Sequence, residues 1–467
     1  MPPIKLMQAI APRLARPGPP EQWSQVPPRL SRRPLFQKKI RPAYRRRHAW
    51  FFIGTLLIAL AIRPVAWAQA GPPPGIIIAR SPEPAKAYIG TPAIAILNDG
   101  SYVAAHDFFG KNATLTDTAH LFRSSDRGAT WAPLAQISGQ AWFSLFVHRG
   151  DLYLHGTASR YGDLTIRRST DGGKTWTTPR DQRSGLLVQG RFHGAPVPVV
   201  VHHGRIWRAV EERTNDQSWP RHFSSLVVSA PENADLLDAA QWRGSNGTLF
   251  DPAWFNGRRP GWLEGNVVVT PQGTLVNILR VHTEPRPEDS FMPTGGAAGL
   301  PRYEVGALCT LTADGRTQTF NPMTGFIHFP GSQSKFTIRF DPKTQRYWAL
   351  IQKITQPHEG REWATSPIHQ RNVTVLTSSA NLRTWREESI ILRWREGDVL
   401  QGSERVGWQY LDWQFDGDDL VAVARTSWGG QSYHNANLFT FHRVAGFRRL
   451  TMADSAPDLA RATSARP

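Results

Sequence analysis

Cysteine is almost absent from this chain of 467 residues, which contains only Cys309. A single cysteine cannot form a disulfide within the chain, so a disulfide-stapled scaffold is excluded. Catalysis by a thiol is not indicated either, because no histidine accompanies Cys309 in a recognisable motif. A long apolar run is also missing: residues 49–62 form an uncharged stretch of 14 residues, which is short for a membrane span.

Acidic residues are scarce at the N-terminus. Residues 1–70 carry 13 Lys and Arg but one acid, Glu21, whereas the remaining residues carry 42 basic and 36 acidic side chains. Residues 1–48 are rich in Pro and Arg and show no hydrophobic period, which predicts a disordered basic extension. The net charge of +18 therefore comes mainly from this extension, and the mildly basic remainder does not predict a nucleic-acid partner.

The uncharged run at residues 49–62 fits the hydrophobic region of a signal peptide. Three arginines precede it at 45–47, and a small-x-small cleavage site follows at 68–70. We therefore predict a signal region at 49–70 and export to the periplasm or the cell exterior. An uncleaved membrane anchor is the alternative, and it would also place the rest of the chain outside the cytoplasm.

Two stretches of the chain share the pattern S-x-D-x-G-x-T-W, at residues 124–131 and 169–176. The aspartate can accept hydrogen bonds from backbone N–H groups, and the glycine can adopt the positive φ that a tight turn needs. The threonine and tryptophan that follow suit the start of a strand. The pattern predicts a turn between two strands and performs no chemistry itself.

Six hairpins recur along residues 76–450, and their spacing predicts a six-bladed β-propeller with four-stranded antiparallel blades. The paired strands are 93–97 with 101–106, 143–148 with 152–154, 197–202 with 206–210, 265–270 with 275–279, 336–340 with 347–351, and 411–415 with 420–424. We expect residues 76–78 to pair with 437–441 and close the ring. Residues 451–467 are predicted to form a flexible tail.

The repeated S-x-D-x-G-x-T-W pattern resembles the Asp box, or BNR repeat, of the sialidase superfamily. Degenerate copies stand at residues 229–242 and 378–385. The resemblance implies an all-β propeller whose active site lies at the mouth of the central channel. It also implies a glycoside hydrolase of the exo-α-sialidase type that acts on terminal acidic sugars and needs no cofactor.

The resemblance extends to individual residues. Glu264 and Arg280 match the order of the family's glutamate and the second arginine of its carboxylate-binding triad, and Arg371 matches the third. Tyr410 stands close to the place of the family nucleophile. Glu264 would take the proton of the Tyr410 phenol during attack, and the two arginines would hold a substrate carboxylate.

Two elements of the family pattern are not matched. The opening Tyr/Phe-Arg-Ile-Pro motif is replaced by Tyr-Ile-Gly-Thr-Pro at residues 88–92, so the first triad arginine is absent. The acid that protonates the leaving oxygen has three candidates, which are His106, Asp107 and Asp117. With one arginine fewer, the predicted substrate is an acidic sugar in general, either sialic or uronic.

Further polar residues are candidates for binding substrate. His193 and Arg208 belong to a cluster with the glutamates at 211 and 212, in which alternate strand positions share one face, and His434 lies on a loop of the last blade. No metal site is expected, because the histidines at 202 and 203 lack a suitably spaced third ligand. Two alternatives remain open: a polysaccharide lyase or uronate-linked glycosidase, and a glycan-binding propeller without chemistry. The expected partner is in each case a carbohydrate.

Overall fold

The computed structural model describes residues 71–460, except 112–114, 216, 256–259, 284–291, 293–297, 356–366 and 397–404. The predictions made for the basic extension, the signal region and residues 461–467 lie outside the described residues. In the part of the chain that is described, no helix is both long and apolar enough to span a bilayer.

Six antiparallel sheets form the blades of a propeller, as predicted. Short segments rich in Val, Ile, Leu and aromatic residues alternate with Gly, Asn and Asp turns, a composition that favours strands. The first three blades, each given from the inner to the outer strand, are Ala93–Ile96, Tyr102–His106, Thr118–Ser124 and Ala132–Ser138; then Ala141–His148, Asp151–Thr157, Leu164–Ser169 and Leu186–Val188; then Phe192–His193 with Val200–His202, Arg205–Arg213, Phe223–Pro231, and Arg243–Gly244 with Thr248–Leu249.

The remaining blades follow the same order along the chain. They are Gly261–Val269, Leu275–His282, Val305–Leu311, and Gln318–Thr319 with Phe326–His328; then Thr337–Asp341, Arg346–Gln352, Val373–Ser379 and Arg386–Arg393; then Val406–Asp416, Asp419–Trp428, Leu438–Val444 and Ile76–Arg80. A separate two-stranded ladder joins Ala87–Ile89 to Phe108–Gly110. Short 3-10 helices are Ala239–Gln241, Pro252–Trp254, Arg302–Glu304, Pro367–His369, Phe447–Arg449 and Met452–Asp454.

The ring closes through its first strand. Ile76–Arg80 forms the outer strand of the sixth blade and pairs antiparallel with Leu438–Val444, with Ile76 opposite Phe441. The predicted pairing of these segments is thereby confirmed. The closing strand comes from the start of the propeller sequence, whereas the other three strands of the blade come from its end. Opening the ring would therefore remove this outer strand and expose the backbone groups of Leu438–Val444.

The hydrophobic core lies between neighbouring blades. Between the fourth and fifth blades, for example, Val268 and Ile278 pack with Ile338 and Val375 in one buried cluster. Sheet faces in contact bury the inward residues of both strands, so each blade is stable only beside its neighbours. This packing holds the inner strands, which surround the central channel, at fixed positions.

The two S-x-D-x-G-x-T-W turns have the same hydrogen-bond pattern. In the second, the Asp171 carboxylate accepts bonds from Ser169 Oγ at 2.8 Å and Thr175 Oγ1 at 2.6 Å, and Trp176 Nε1 donates to Gly173 O at 2.9 Å. Asp126 and its neighbours repeat these bonds in the first blade. Hydrogen bonding lowers the pKa of Asp126 to about 2, so the turn holds an ionised carboxylate.

A degenerate turn in the fifth blade keeps this architecture with different residues. Asn381 Oδ1 accepts the Thr384 N–H at 2.9 Å, and Trp385 Nε1 donates to Leu382 O at 3.2 Å. Leu382 has a φ of 66°, the left-handed conformation that glycine adopts in the other turns. Asn therefore replaces Asp here, and a leucine tolerates the strained position.

The end of the described chain is held against the fifth blade. Ile390, in the outer strand of that blade, donates its N–H to Ser455 Oγ at 3.0 Å and accepts the Ala456 N–H at 2.8 Å. The Asp458 carboxylate accepts the N–H groups of Arg395 and Glu396 at 2.8 and 3.1 Å. Residues 451–460 are therefore attached to the fifth blade and do not form the flexible tail that was predicted. They cover a sheet edge that would otherwise be open.

Candidate active site

Three of the inner strands contain a β-bulge, where the antiparallel register shifts. The bulges hold Trp142, Glu264 and Tyr410 at φ values of 47°, 57° and 57°, a left-handed conformation that costs a non-glycine residue roughly 1–2 kcal/mol. Bulges re-aim side chains. Here the side chains of Trp142 and Tyr410 line one pocket, and the buried Glu264 side chain accepts a hydrogen bond from Tyr410.

A polar side chain two residues beyond each bulge bonds to the backbone of the next blade. The bonds join Ser144 Oγ to Val197 O (2.7 Å), Ile338 N to Asn266 Oδ1 (2.9 Å) and Ile94 N to Asp412 Oδ2 (3.0 Å). The three polar side chains are buried, and a buried hydrogen bond is costly to leave unmade. These bonds offset the strain of the bulges and tie them to the neighbouring blades.

Glu264 connects the fourth blade to the sixth. Its carboxylate accepts a 2.5 Å bond from Tyr410 Oη and a 2.8 Å bond from Arg280 Nη1. Burial alone would raise the pKa of Glu264, but the positive charge of Arg280 is the main influence that outweighs burial and lowers it. Glu264 is therefore ionised and lies within hydrogen-bond distance of the phenol.

Tyr410 is neutral at neutral pH, because burial raises the pKa of its phenol and the Glu264 carboxylate adds to the effect. A neutral phenol that donates to a carboxylate can lose its proton as it attacks an electrophile. The guanidinium of Arg425 lies 4.2 Å from the centroid of the Tyr410 ring. The arrangement places a phenol that can act as a nucleophile beside a carboxylate that can accept its proton and beside a positive charge.

Arg371 and Arg425 form a pair of buried cations beside Tyr410. Each is 5% exposed, and both donate to one neutral acceptor, Gln409 Oε1, at 3.2 and 2.9 Å. Burial lowers the pKa of Arg371 to about 10, and nearby Arg280 contributes; burial also lowers the pKa of Arg425. Among the described residues no carboxylate forms an ion pair with either guanidinium, so this pair is a ready receptor for an anion.

Arg280 has a different role from the one expected. It donates to Glu264 and, at 2.7 Å, to Gln333 O, so its buried guanidinium orients the Glu264 carboxylate and does not face open space. Arg425 occupies the equivalent place in the sixth blade: Arg280 is opposite Leu263, and Arg425 is opposite Gln409, the residues that precede the two bulges. The sixth blade thus places a buried arginine at the position that corresponds to Arg280 in the fourth blade.

The opposite wall of the pocket carries Asp107, Trp142 and His193. Exposed Arg160 lies over the rings of Phe109 and Trp142, 5.4 and 5.6 Å from their centroids, and lines the same pocket. The pocket has a volume of about 40 Å³, which is room for a few water molecules.

His106 and Asp117 do not line the pocket. His106 is buried among Phe108, Phe122 and Phe439 in the core between the first and last blades, where burial lowers its pKa to about 3. It alternates with Asp107 along the chain, so only Asp107 faces the pocket. Asp117 accepts the Arg160 N–H at 3.0 Å and serves the loop that carries that arginine.

Arg208 is also a structural residue. Its guanidinium is 1% exposed and donates to Ser144 Oγ, His155 Nδ1 and Ala195 O at 3.1, 3.0 and 3.2 Å. It joins the second and third blades and does not line the pocket. His434 is exposed and its ring lies edge-on to Phe109, 5.1 Å between centroids, at the rim of the site.

No protein-family model and no curated protein matches the sequence. Solved structures share the fold. An α-L-arabinofuranosidase variant from Fusarium graminearum, bound to an iminosugar inhibitor, has a TM-score of 0.50 at 10% identity, over 79% of this chain and 97% of that one. A Penicillium chrysogenum α-L-arabinanase with arabinobiose gives 0.49 at 12% identity, over 80% and 98%. A Trypanosoma rangeli sialidase gives 0.46 at 14% identity, over 78% of this chain and 55% of that one.

Trp142, Arg160, Arg425 and Lys335 are site residues that the sequence analysis missed. A signal existed for two of them. Trp142 stands two positions before Ser144, a polar residue that bonds to the next blade. Glu264 and Tyr410 have the same spacing to their polar residues. Arg425 could have been found by aligning the fourth and sixth hairpins, in which it falls opposite the same position as Arg280.

Lys335 lies under the bulge that carries Tyr410. Its ammonium group donates to Leu411 O at 2.8 Å and Thr337 Oγ1 at 2.6 Å, and lies 3.5 Å from Tyr410 O. The side chain is 2% exposed, and burial lowers its pKa to about 7. Lys335 therefore fixes the backbone at Tyr410 and Leu411, and the burial of its ammonium group costs desolvation energy.

This cost predicts a specific dependence of stability on pH. Between about pH 7 and the ordinary lysine value of about 10.4, the unfolded chain binds a proton at Lys335 that the folded chain does not. The free energy of unfolding should therefore rise with pH in this window, by up to about 1.4 kcal/mol per unit. Lys335→Met should remove this rise. Urea unfolding of both proteins at pH 7, 8 and 9 measures it, and parallel curves for the two proteins would contradict the assignment.

Proposed function

We propose that this protein is a glycoside hydrolase that acts on a terminal acidic sugar by a retaining mechanism with Tyr410 as nucleophile. The observation that carries the proposal is the hydrogen bond from Tyr410 to Glu264, made between two blades and beside the Arg371–Arg425 pair. A nucleophile, a base bonded to it and an anion receptor beside them are what this reaction requires.

The first chemical step uses the Tyr410–Glu264 pair. The phenol oxygen attacks the anomeric carbon while Glu264 accepts its proton, and the bond to the leaving oxygen breaks. A proton for that oxygen comes from the opposite wall. Water then cleaves the glycosyl–tyrosine bond, which returns the sugar with its original anomeric configuration.

The choice of an acidic sugar rests on charge. Arg371 and Arg425 have no carboxylate partner among the described residues, and each is buried. A substrate carboxylate would form ion pairs with both guanidinium groups, which a neutral sugar cannot do. The shared fold with an α-L-arabinofuranosidase supports a glycosidase, whereas the arginines favour the acidic substrate, of sialoside or uronoside type.

A panel of methylumbelliferyl glycosides tests the proposal. We expect fluorophore release from an α-sialoside or a uronoside and far less from neutral pyranosides and arabinofuranosides. The absence of turnover on every acidic glycoside would contradict it. Growth of the ultraviolet absorbance of unsaturated uronates on a uronate polymer would indicate a lyase instead, and glycan binding without turnover, unchanged in Glu264→Gln, would indicate a binding protein.

A further inference from the structure

The leaving-group proton has two possible sources in the pocket wall, Asp107 and His193. The two residues differ in how their polar atoms are occupied. The sequence predicts Asp107 as a candidate acid and His193 only as a residue that binds substrate. The contacts of each side chain decide between them.

The Asp107 carboxyl group is bound on both oxygens. Oδ1 accepts the Thr91 N–H at 2.6 Å, and Oδ2 accepts the Trp142 N–H and the Thr91 hydroxyl, both at 3.2 Å. Burial raises the pKa of Asp107 above its ordinary value, and the two backbone N–H groups offset this only in part. Gly90 packs so closely that a Cβ there would lie 1.7 Å from Oδ1. Asp107 is thus built into the loop that positions Trp142.

His193 has one occupied and one available nitrogen. Nδ1 donates to Glu211 Oε2 at 2.8 Å, which fixes the ring and leaves Nε2 to carry the exchangeable proton. No described residue bonds to Nε2. The ring packs against Trp142 and Phe223, with centroids 4.6 and 4.7 Å away. The nitrogen that faces no protein partner belongs to a residue that lines the pocket.

Glu211 also connects this histidine to the nucleophile. Its other oxygen, Oε1, accepts the N–H of Gly265 at 3.2 Å, the residue that follows Glu264 in the bulge. Glu211 is 1% exposed. One buried carboxylate thereby sets the position of His193 relative to the Tyr410–Glu264 pair.

We infer that His193, oriented by Glu211, is the general acid and base of the reaction, and this inference rests on the proposed glycosidase function. Protonated His193 gives the Nε2 proton to the glycosidic oxygen as the bond from that oxygen to the anomeric carbon breaks, and Tyr410 forms the new bond. In the second step neutral His193 takes a proton from water, and the hydroxyl oxygen bonds to the anomeric carbon as the tyrosine leaves. The tyrosine recovers its proton from Glu264, so both groups return to their starting state.

The test compares leaving groups. An aryl aglycone departs without protonation, whereas an alkyl or sugar aglycone requires it. We expect His193→Gln to lower kcat/KM for the alkyl glycoside by roughly 10²-fold or more, and for the methylumbelliferyl glycoside by less than about tenfold. Azide should increase the turnover of the aryl substrate by His193→Gln and yield a glycosyl azide. Azide is an anionic nucleophile that needs no general base, so it can replace the water molecule that His193 would otherwise deprotonate.

Matched variants separate this role from a structural one. His203→Asn changes an exposed turn histidine outside the pocket and should leave both rates unchanged. Asp107→Asn should lower both rates to a similar extent. An equal loss on both substrates in His193→Gln, or a leaving-group effect in Asp107→Asn instead, would overturn the inference. Either result requires an active wild-type enzyme, so it is distinguishable from failure of the proposed function itself, in which the wild type is inactive on both substrates.

Discussion

Replacing Tyr410 by Phe should lower kcat on the best acidic glycoside by at least roughly 10³-fold, the scale of loss when a covalent nucleophile is removed. The phenol oxygen is the only atom that the change deletes. The Glu264 carboxylate keeps Arg280 as its partner, so the pocket has no new unpaired charge. The folded state should therefore survive, and KM should change little because the arginines remain.

Three measurements complete this prediction. Tyr153→Phe is the matched control: that tyrosine stacks on Phe146 in the second blade, and its loss should not affect kcat. Proton NMR of the first product should show retained anomeric configuration. A fluorinated acidic sugar should leave a covalent label on the peptide that contains Tyr410. Label on another residue, or an inverted product, would contradict the assignment.

Glu264→Gln should act in the same direction. The amide keeps the shape of the side chain but cannot accept the phenolic proton, so kcat should fall by roughly 10²-fold or more. It also leaves the Arg280 guanidinium, 2% exposed, without its anionic partner, and the thermal midpoint should fall. Single-turnover kinetics of the first step measure the fall in the catalytic rate, and a thermal melt measures the fall in the thermal midpoint.

The sequence predicts the fold well because the fold is repeated. Every hairpin carries its own turn signal, and the turns at Asp126 and Asp171 give the same hydrogen-bond pattern in the structure. A mistake in one repeat would be corrected by the other five. The tail had no such support, and its attachment to Ile390 depends on one serine and a backbone pairing that no local pattern encodes.

The site was harder to predict, because its residues are chosen by local geometry. His106 and Asp107 are adjacent in sequence and equally polar, but the alternation of the strand sends one to the core and the other to the pocket. Arg208 and Arg425 are both buried arginines on the second strand of a hairpin. Only the set of acceptors around them shows that Arg208 is fully bonded and Arg425 is not.

This difference between the two arginines gives the second large prediction. Arg425→Met should reduce the preference for a carboxylate-bearing substrate over its neutral amide by roughly 10- to 100-fold, the value of one to two charge-assisted bonds. The loss should appear mainly in KM. In contrast, the thermal midpoint should stay the same or rise, because a buried cation without an anionic partner is replaced by an apolar side chain of similar length.

Arg208→Met is the control that makes the result decisive. Its guanidinium donates to four acceptors, which are Ser144 Oγ, His155 Nδ1, Trp142 O and Ala195 O. Removing the guanidinium leaves buried polar groups unpaired, so this variant should melt at a lower temperature. Removal of a structural arginine thus lowers the stability of the fold. Removal of a binding arginine lowers the affinity for the acidic substrate and also removes the cost of burying an unpaired cation. If Arg425→Met melted well below the wild type and kept its preference for the acid, the anion receptor would have to lie elsewhere in the channel. If the two variants differ as expected, the burial of Arg425 serves the binding of the substrate and does not stabilise the fold.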